Sequence, residues 1–169
     1  MDERVGFDSY VAAAWPRLLR SAWLLTQDWQ LAEDLLQTAL MKAAVRWGRI
    51  RDGSPDGYLR RVLATTYLSW WRRRWRAEVP SGVPPERAGP GDETDAVDVR
   101  AALAVALAGL PRQQRAVLML RYHADLTETA TAAVLGISVG TVKSHTARAL
   151  AALRARNDIR ALLVEEGTT

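Results

Sequence analysis

The segment from residue 77 to 95 constrains the fold of this chain more than any other stretch. Four prolines and three glycines fall within residues 80–91. Proline lacks the backbone donor that a helix needs, and glycine loses the most conformational entropy on ordering, so no regular helix can run through this segment. We therefore expect an acidic linker at residues 77–95 between two modules, residues 1–76 and 96–160.

The first module has apolar residues at helical spacing and weak strand signals. Pro16 predicts a kink or a helix start, and Asp28 is a candidate N-cap. The pattern predicts helices over residues 7–26, 29–47 and 58–76, with a Gly- and Pro-containing loop at 48–57. The predicted fold class is therefore all-α, with two small helical modules joined by a flexible Pro/Gly-rich linker.

The second module carries a helix-turn-helix pattern between Thr127 and Arg154. Gly136 suits the left-handed end of one helix, and Ser138 suits the N-cap of the next. Two helices joined by a short turn containing glycine are typical of this motif. The second helix should pack inward through Val142, Thr146, Ala149 and Leu153, which share one face.

The outer side of that second helix is polar and basic. Such side chains can contact base edges and phosphates when the N-terminal part of the helix enters a major groove. The alternative is an ordinary helical hairpin with a solvated outer face. The candidate DNA-binding residues are Ser138, Thr141, Lys143, Ser144, His145 and Arg148.

Arginine and tryptophan are concentrated between residues 46 and 76. Nine arginines and two aspartates give this stretch a local net charge of +7. Arginine neutralises phosphate and an indole can stack on a base, so the pattern favours unpaired nucleic acid. Two alternatives remain, namely tryptophans packed on a neighbouring helix and a basic membrane-surface helix. The candidate residues are Arg60, Arg61, Trp71, Arg72, Arg73, Arg74 and Trp75.

Three residues of the predicted second helix align on its outer face at i, i+3 and i+7. They are Asp34, Gln37 and Met41. Methionine adapts to foreign shapes, so this face is a candidate partner surface. Periodicity alone favours the simpler interpretation of a solvated face with one stray apolar residue.

Composition excludes several classes of function. The chain has no cysteine, which excludes disulfides and Cys-based zinc sites and fits a reducing cytosol. The acidic N-terminus does not look like a secretory signal, and no apolar run is long enough to span a membrane. There are two histidines, His123 and His145, and no Gly-rich phosphate loop. We therefore expect no catalytic residue, no metal, no cofactor and no enzyme activity.

In their order and spacing these segments resemble the extracytoplasmic-function (ECF) RNA polymerase sigma factors of the sigma-70 family. Residues 31–37 resemble the part of region 2 that binds the polymerase clamp. Residues 58–61 and 70–74 resemble the part that melts and reads the −10 promoter element, and the Ser-Trp-Trp-Arg-Arg run resembles an actinobacterial sigma-E-type subgroup. Residues 110–115 and 135–144 resemble region 4, which docks on the polymerase flap and reads the −35 element.

The resemblance implies a cytoplasmic alternative sigma factor whose partners are core RNA polymerase and promoter DNA, with an anti-sigma factor as a candidate partner and no membrane insertion. It assigns Asp34, Gln37 and Met41 to polymerase contact, and it assigns the two sets of DNA candidates to the −10 and −35 elements. Thr65 stands where family members often carry Asn, and His145 where many carry Arg. Trp70 is expected to point inward, so Trp71 is the better candidate for DNA contact.

The alternative is a LuxR-like helix-turn-helix regulator. The run from Thr141 to His145 fits the output helix of that class. Such a regulator would need an N-terminal sensing domain, and residues 1–76 show no α/β pattern of that kind.

Overall fold

The computed structural model describes residues 3–77 and 103–156, and within them the side chains of residues 6–73 and 103–156. No strand occurs in these ranges, so the predicted all-α class is confirmed. The first range forms four helices: α1 Glu3–Thr26, α2 Trp29–Ala44, α3 Trp47–Ile50 and α4 Pro55–Ala77. The second forms α5 (residues 103–108), α6 Arg112–Leu118, a π-helical turn Met119–His123, α7 Glu128–Leu135 and α8 Val139–Ala155.

Local chemistry explains where the helices of the first module begin and end. The Asp28 carboxylate accepts a 2.9 Å hydrogen bond from the Leu31 N–H, which confirms the predicted N-cap. Helix α1 continues through Pro16, so a helix start at that residue is wrong.

The predicted loop at residues 48–57 is too long at both ends. Its first residues belong to α3, and α4 begins at Pro55 rather than Tyr58. Proline is favoured in the first helical turn because it needs no N–H partner there, and the Ser54 hydroxyl accepts from the Gly57 N–H at 3.2 Å. The linker predicted for residues 77–95 lies outside the described residues from residue 78 onward.

Helices α1, α2 and α4 pack around one apolar core. Its fully buried side chains include Leu18, Leu25, Leu35, Leu36 and Leu63. Trp47, in α3, seals one end of this core against Phe7 and Tyr10, with ring centroids 5.2 and 5.0 Å away. Burying a leucine side chain fully contributes about 1.5–3 kcal/mol, so the three long helices are held together mainly by apolar packing.

In the second module, α6 and α7 both pack on α8, as the helix-turn-helix prediction requires. Val142 and Ala149 are fully buried and Thr146 nearly so, which confirms the inward face of α8. Val117 and Ala132 join Val142 in a small core. Pro111 stands at the N-cap of α6.

The two modules share part of one core. Ala116, Met119 and Leu120 of the second module are buried in the cluster formed by α1, α2 and α4. The module boundary in sequence is therefore not a boundary in packing. The second module covers one side of α4 that the sequence pattern left open to solvent.

Candidate polymerase and nucleic-acid interface

The turn of the helix-turn-helix has the geometry that its sequence predicts. Gly136 adopts φ 66° and ψ 34°, the left-handed region that glycine enters without steric cost. The Ile137 N–H donates to the Ala132 carbonyl at 3.1 Å and closes the end of α7. Ser138 then caps α8 by accepting from the Thr141 N–H at 3.1 Å. These contacts fix the angle at which α8 leaves the turn.

Helix α8 presents an open polar face. Lys143, Ser144 and Arg148 are exposed, and the Lys143 ammonium lies 3.8 Å from the carboxylate of Glu128, an exposed pair worth little energy. Ser138 is exposed too, and its hydroxyl lies 2.8 Å from that of the half-buried Thr141. The face carries two cations and three hydroxyls within three turns of the start of a helix, which suits phosphates and base edges.

His145 lies at the margin of that face rather than on it. It is half-buried, and its Nδ1 atom is buried without a hydrogen-bond partner among the described residues. A DNA contact by His145 would therefore use the remaining exposed part of the ring.

The predicted partner surface on α2 is open. Asp34, Gln37 and Met41 are all exposed, and Met41 has 73% of its surface accessible. Val45, one turn further along, is 88% exposed. The sequence analysis did not name Val45, although the residue lies within the helix predicted over residues 29–47 and follows Met41 by four positions on the same face. Two exposed apolar side chains beside an acid and an amide form a surface that suits a protein partner.

The basic and aromatic residues of α4 divide into two groups. Arg61, Arg72 and Arg73 are exposed as predicted. Arg60 and Trp71 are half-buried, and both contact the second module. The side chains of Arg74 and Trp75 lie outside those described.

The sequence analysis left two interpretations of Trp71, an outward indole for DNA and an indole packed on a neighbouring helix, and the structure supports the second. Ala64 is fully buried, and Trp71 packs against the shared core. The physical reason is that Arg60, Ala64, Tyr67 and Trp71 follow one another at i, i+4, i+7 and i+11, which is a single stripe. Helix α6 and the π-helical turn lie on that stripe. Trp70 packs inward as predicted, near Thr26 and Leu31.

A shallow depression lies beside the exposed end of α2, on the side of α4 away from the second module. Its volume is about 370 Å³, and its lining combines two cations, one aromatic ring, one hydroxyl and two aliphatic side chains. Thr65 lies here, and its hydroxyl donates to the carbonyl of Arg61 or Val62 within its own helix. The lining residues are Lys42, Val45, Arg46, Tyr58, Val62 and Thr65.

Sequence reasoning missed the polar centre of the first module, which is Asp56. Its carboxylate accepts hydrogen bonds from the Tyr10 hydroxyl at 2.6 Å and from the Arg17 guanidinium at 2.6 and 3.0 Å. Arg17, followed by Tyr10, holds the pKa of Asp56 below its usual value against the opposing effect of burial. Burial and the Asp56 carboxylate raise the pKa of the Tyr10 phenol. The only signal in the sequence for this site was an acidic residue in the first turn of α4, where it can pair with an arginine.

Neither a metal centre nor a membrane span is found in the described part of the chain. No three His, Asp or Glu side chains converge there as ligands would. None of the described helices is long and apolar enough to cross a membrane.

Comparison with known proteins agrees with this geometry. Residues 11–77 match the family model of sigma-70 region 2, and residues 100–153 match that of sigma-70 region 4. The chain is 45% identical to the RNA polymerase sigma-E factor of Streptomyces coelicolor, covering 98% of this chain and 97% of the relative. It is 33% identical to the ECF RNA polymerase sigma factor SigM of Mycobacterium tuberculosis, covering 89% and 76% respectively.

Among solved structures, the chain is similar to the sigma factor RpoE of Bartonella quintana, determined in complex with the anti-sigma factor NepR. The TM-score is 0.62 at 28% identity, covering 88% of this chain and 94% of that one. These comparisons together cover both modules, their order, and the helix-turn-helix at the end of the second module. This chain belongs to the ECF RNA polymerase sigma factors of the sigma-70 family.

Proposed function

We propose that this protein is an alternative sigma factor that binds core RNA polymerase and directs promoter-specific initiation of transcription. One observation carries the proposal: a region 2 module and a region 4 helix-turn-helix lie on one chain, each with an open surface of suitable chemistry. The LuxR-like alternative is not favoured, because residues 11–77 match sigma-70 region 2 rather than a sensing domain.

The −35 element is read by α8 in the major groove of duplex DNA. Lys143 is placed at the side of the helix for a phosphate, while Ser144 and Arg148 point out from the same face. Arginine can make two parallel hydrogen bonds to guanine, and a good contact of that kind discriminates by about 1–3 kcal/mol. Ser138, Thr141 and His145 complete the surface, with Ser138 and Thr141 already engaged with each other.

The −10 element is read by α4 as unpaired DNA. The exposed Arg61, Arg72 and Arg73 supply phosphate contacts, and Arg74 and Trp75 continue the same sequence. Arg60 and Trp71, which contact the second module in this structure, complete the set of candidates on α4. The depression beside Thr65 offers Tyr58 as a ring on which a base can stack, and Lys42 and Arg46 for phosphate.

The clamp of core polymerase binds the face of α2 that carries Asp34, Gln37 and Met41, and the flap of the polymerase binds the second module. Val45 extends the first of these surfaces. The polymerase performs the chemistry, so the protein itself is not an enzyme and needs no cofactor or metal. It works in the cytoplasm, where the polymerase and promoter are found, and an anti-sigma factor is the expected regulator.

The test is transcription by purified core polymerase on a pool of genomic promoter fragments, with and without the protein. Transcripts that start at discrete sites only in its presence are the expected result. Arg148→Ala should reduce their yield about 5- to 150-fold if its base contact contributes about 1–3 kcal/mol. Arg154→Ala is the matched control, since Arg154 is exposed on α8 but lies on a different face. Equal transcription with and without the protein, and no co-elution with core, would refute the proposal.

A further inference from the structure

His145 stands at a boundary on α8 between the side that packs inside the second module and the side that faces solvent. At 100° per residue, the fully buried Val142 and Ala149 lie about 40–60° to one side of it. The half-buried Thr141 and the exposed Arg148 lie as far to the other side. One edge of the His145 ring therefore meets the packed interior, and the opposite edge meets whatever binds the polar face.

The two ring nitrogens of His145 lie in different surroundings. Nδ1 is buried and has no hydrogen-bond partner among the described residues, whereas Nε2 is not enclosed in this way. Val117 and Ala132, which pack on Val142 from α6 and α7, carry no polar side-chain atom that could pair with Nδ1. Nε2 is therefore the ring nitrogen that is placed to contact a ligand of α8.

The burial of Nδ1 selects one of the two neutral forms of the ring. A neutral imidazole carries its proton on one nitrogen, and the other nitrogen is an acceptor. A proton on Nδ1 would bury an N–H without an acceptor, and orphaned buried N–H groups are unfavourable and rare in folded proteins. A proton on Nε2 instead leaves only a lone pair in the buried position and keeps the N–H within reach of water or DNA. The Nε2–H form of His145 is the one that fits its surroundings.

The position of the proton decides what His145 can recognise. With the proton on Nε2 the ring offers DNA a donor and no acceptor, and with the proton on Nδ1 it would offer an acceptor and no donor. In the major groove guanine, adenine and thymine each present an acceptor atom, whereas cytosine presents only the N4 donor. Phosphate oxygens are acceptors as well. Arg148, almost one turn further along α8, differs because its guanidinium can make two parallel hydrogen bonds to one base.

We propose that His145 gives the −35 DNA a single hydrogen-bond donor, Nε2–H, and no acceptor, and that the buried Nδ1 fixes this choice. If the partner atom belongs to a base edge, the contact admits guanine, adenine or thymine and excludes cytosine at that position. If the partner atom is a phosphate oxygen, the contact is independent of the sequence. The inference rests on the proposed function, because the assignment of α8 to the −35 element comes from it.

The position of the proton is measured directly on the full chain. Long-range proton–nitrogen correlation by NMR at about pH 8, where a free imidazole is neutral, distinguishes a protonated ring nitrogen from a bare one. The sequence has two histidines, so His123→Gln leaves the ring signals of His145 alone in the spectrum. The expected result is a protonated Nε2 and a bare Nδ1. A proton mainly on Nδ1, or shared equally between the two nitrogens, would overturn the proposal.

The DNA contact is tested by replacing the ring with two amides of different reach. The glutamine amide extends toward the position of Nε2, whereas the asparagine side chain is one carbon shorter and ends near the position of Nδ1. The affinity of the polymerase holoenzyme for a promoter duplex with a mapped start site is measured for both variants and for His145→Ala. Binding should weaken about 2- to 13-fold in His145→Asn and His145→Ala, the loss of one hydrogen bond, and stay close to the parent in His145→Gln.

The matched control is the pair Arg154→Gln and Arg154→Asn. Arg154 is exposed on α8 and lies nine residues beyond His145, which is half a turn around the helix. These two variants should bind the promoter equally. Circular dichroism checks that every variant keeps the helical content of the parent, and His145→Ala serves as a second variant without the donor.

Replacing each −35 base pair in turn identifies the partner atom. A difference between the Gln and Asn variants of His145 that disappears when one base becomes cytosine supports the proposal and assigns the contact to that base edge. A difference that persists for every replacement supports it and assigns the contact to a phosphate oxygen. Equal affinity of the two variants for the parent promoter would overturn the proposal. A parent protein that yields no promoter-specific transcripts would refute the proposed function instead, and the NMR measurement, which needs neither polymerase nor DNA, separates the two failures.

Discussion

Asp56 is the polar residue on which the packing of α1 against α4 depends most, and Asp56→Asn tests this directly. The amide keeps an oxygen of the same shape but loses the charge that Arg17 and Tyr10 both contact. A hydrogen bond to a charged group contributes about 1.5–3 kcal/mol, and the half-buried Tyr10 contact lies near the lower end of that range. Arg17 has 44% of its side chain exposed, so screening reduces its share to about 0.5 kcal/mol. We expect a total loss of about 2 kcal/mol.

Urea unfolding followed by circular dichroism measures this loss. With a denaturant slope near 2 kcal/mol per molar, the midpoint should fall by about 1 M. Urea is preferred to guanidinium chloride, whose ions would screen the pair being tested. The matched control is Asp52→Asn, since Asp52 is 81% exposed and pairs at 3.4 Å with its sequence neighbour Arg51. We expect that control to shift the midpoint very little.

The pH dependence is a second readout of the same residue. Folding lowers the pKa of Asp56, so its carboxylate stabilises the fold fully above the unfolded value, about 3.9. That stabilisation disappears as the pH falls through the lower folded value. The Asp56→Asn variant and the parent should therefore differ fully at pH 7 and converge below about pH 4. Equal midpoints at pH 7, or a difference that persists unchanged at pH 2, would refute the reasoning.

Two further predictions concern the second module. Gly136→Ala should destabilise the helix-turn-helix by about 1–2 kcal/mol in urea unfolding, because the residue has φ 66°. A Cβ atom there would meet no neighbour within 4 Å, so the cost comes from the backbone conformation and not from a steric clash. Gly136→Asn should lose less, and equal losses would contradict this account. Burial, followed by the positive charge of Arg60, lowers the pKa of His123. The His123 ring also contacts the Ser21 hydroxyl, and the carboxylate of Asp56 lies 3.9 Å from the Arg60 guanidinium. Protonation of His123 therefore destabilises the fold as the pH falls below about 6.5, the unfolded value, so the urea midpoint should decrease there. His123→Gln should remove that dependence, and a parent that responds identically to the variant would exclude His123 as its source.

Much of the local structure could be predicted because its causes are local. The N-caps Asp28 and Ser138 and the left-handed Gly136 depend on residues within one turn of themselves. The inward face of α8 follows from a helical period of 3.6 residues. The prediction missed the start of α4 at Pro55, since a proline reads equally well as a loop residue and as a first helical residue.

The candidate surfaces were predicted less evenly. Exposure of Asp34, Gln37 and Met41 follows from an amphipathic helix with a single buried side, and the structure agrees. Helix α4 is different because it is buried on two sides, and a helical wheel cannot tell a face that meets solvent from one that meets another module. The indole of Trp71 suits DNA and protein equally, so its chemistry could not decide between them.

The sequence by itself determined the helical class, the division into two modules, the helix-turn-helix and the residues available for each surface. Those features depend on backbone propensity, caps and periodicity, all of which act over a few residues. The tertiary structure alone decided that Asp56 joins Tyr10 and Arg17 across 46 and 39 residues, and that Arg60 and Trp71 face the second module. Such contacts depend on which apolar faces of the helices meet in the folded chain. No local pattern encodes that choice, because many pairings of amphipathic helices bury similar area.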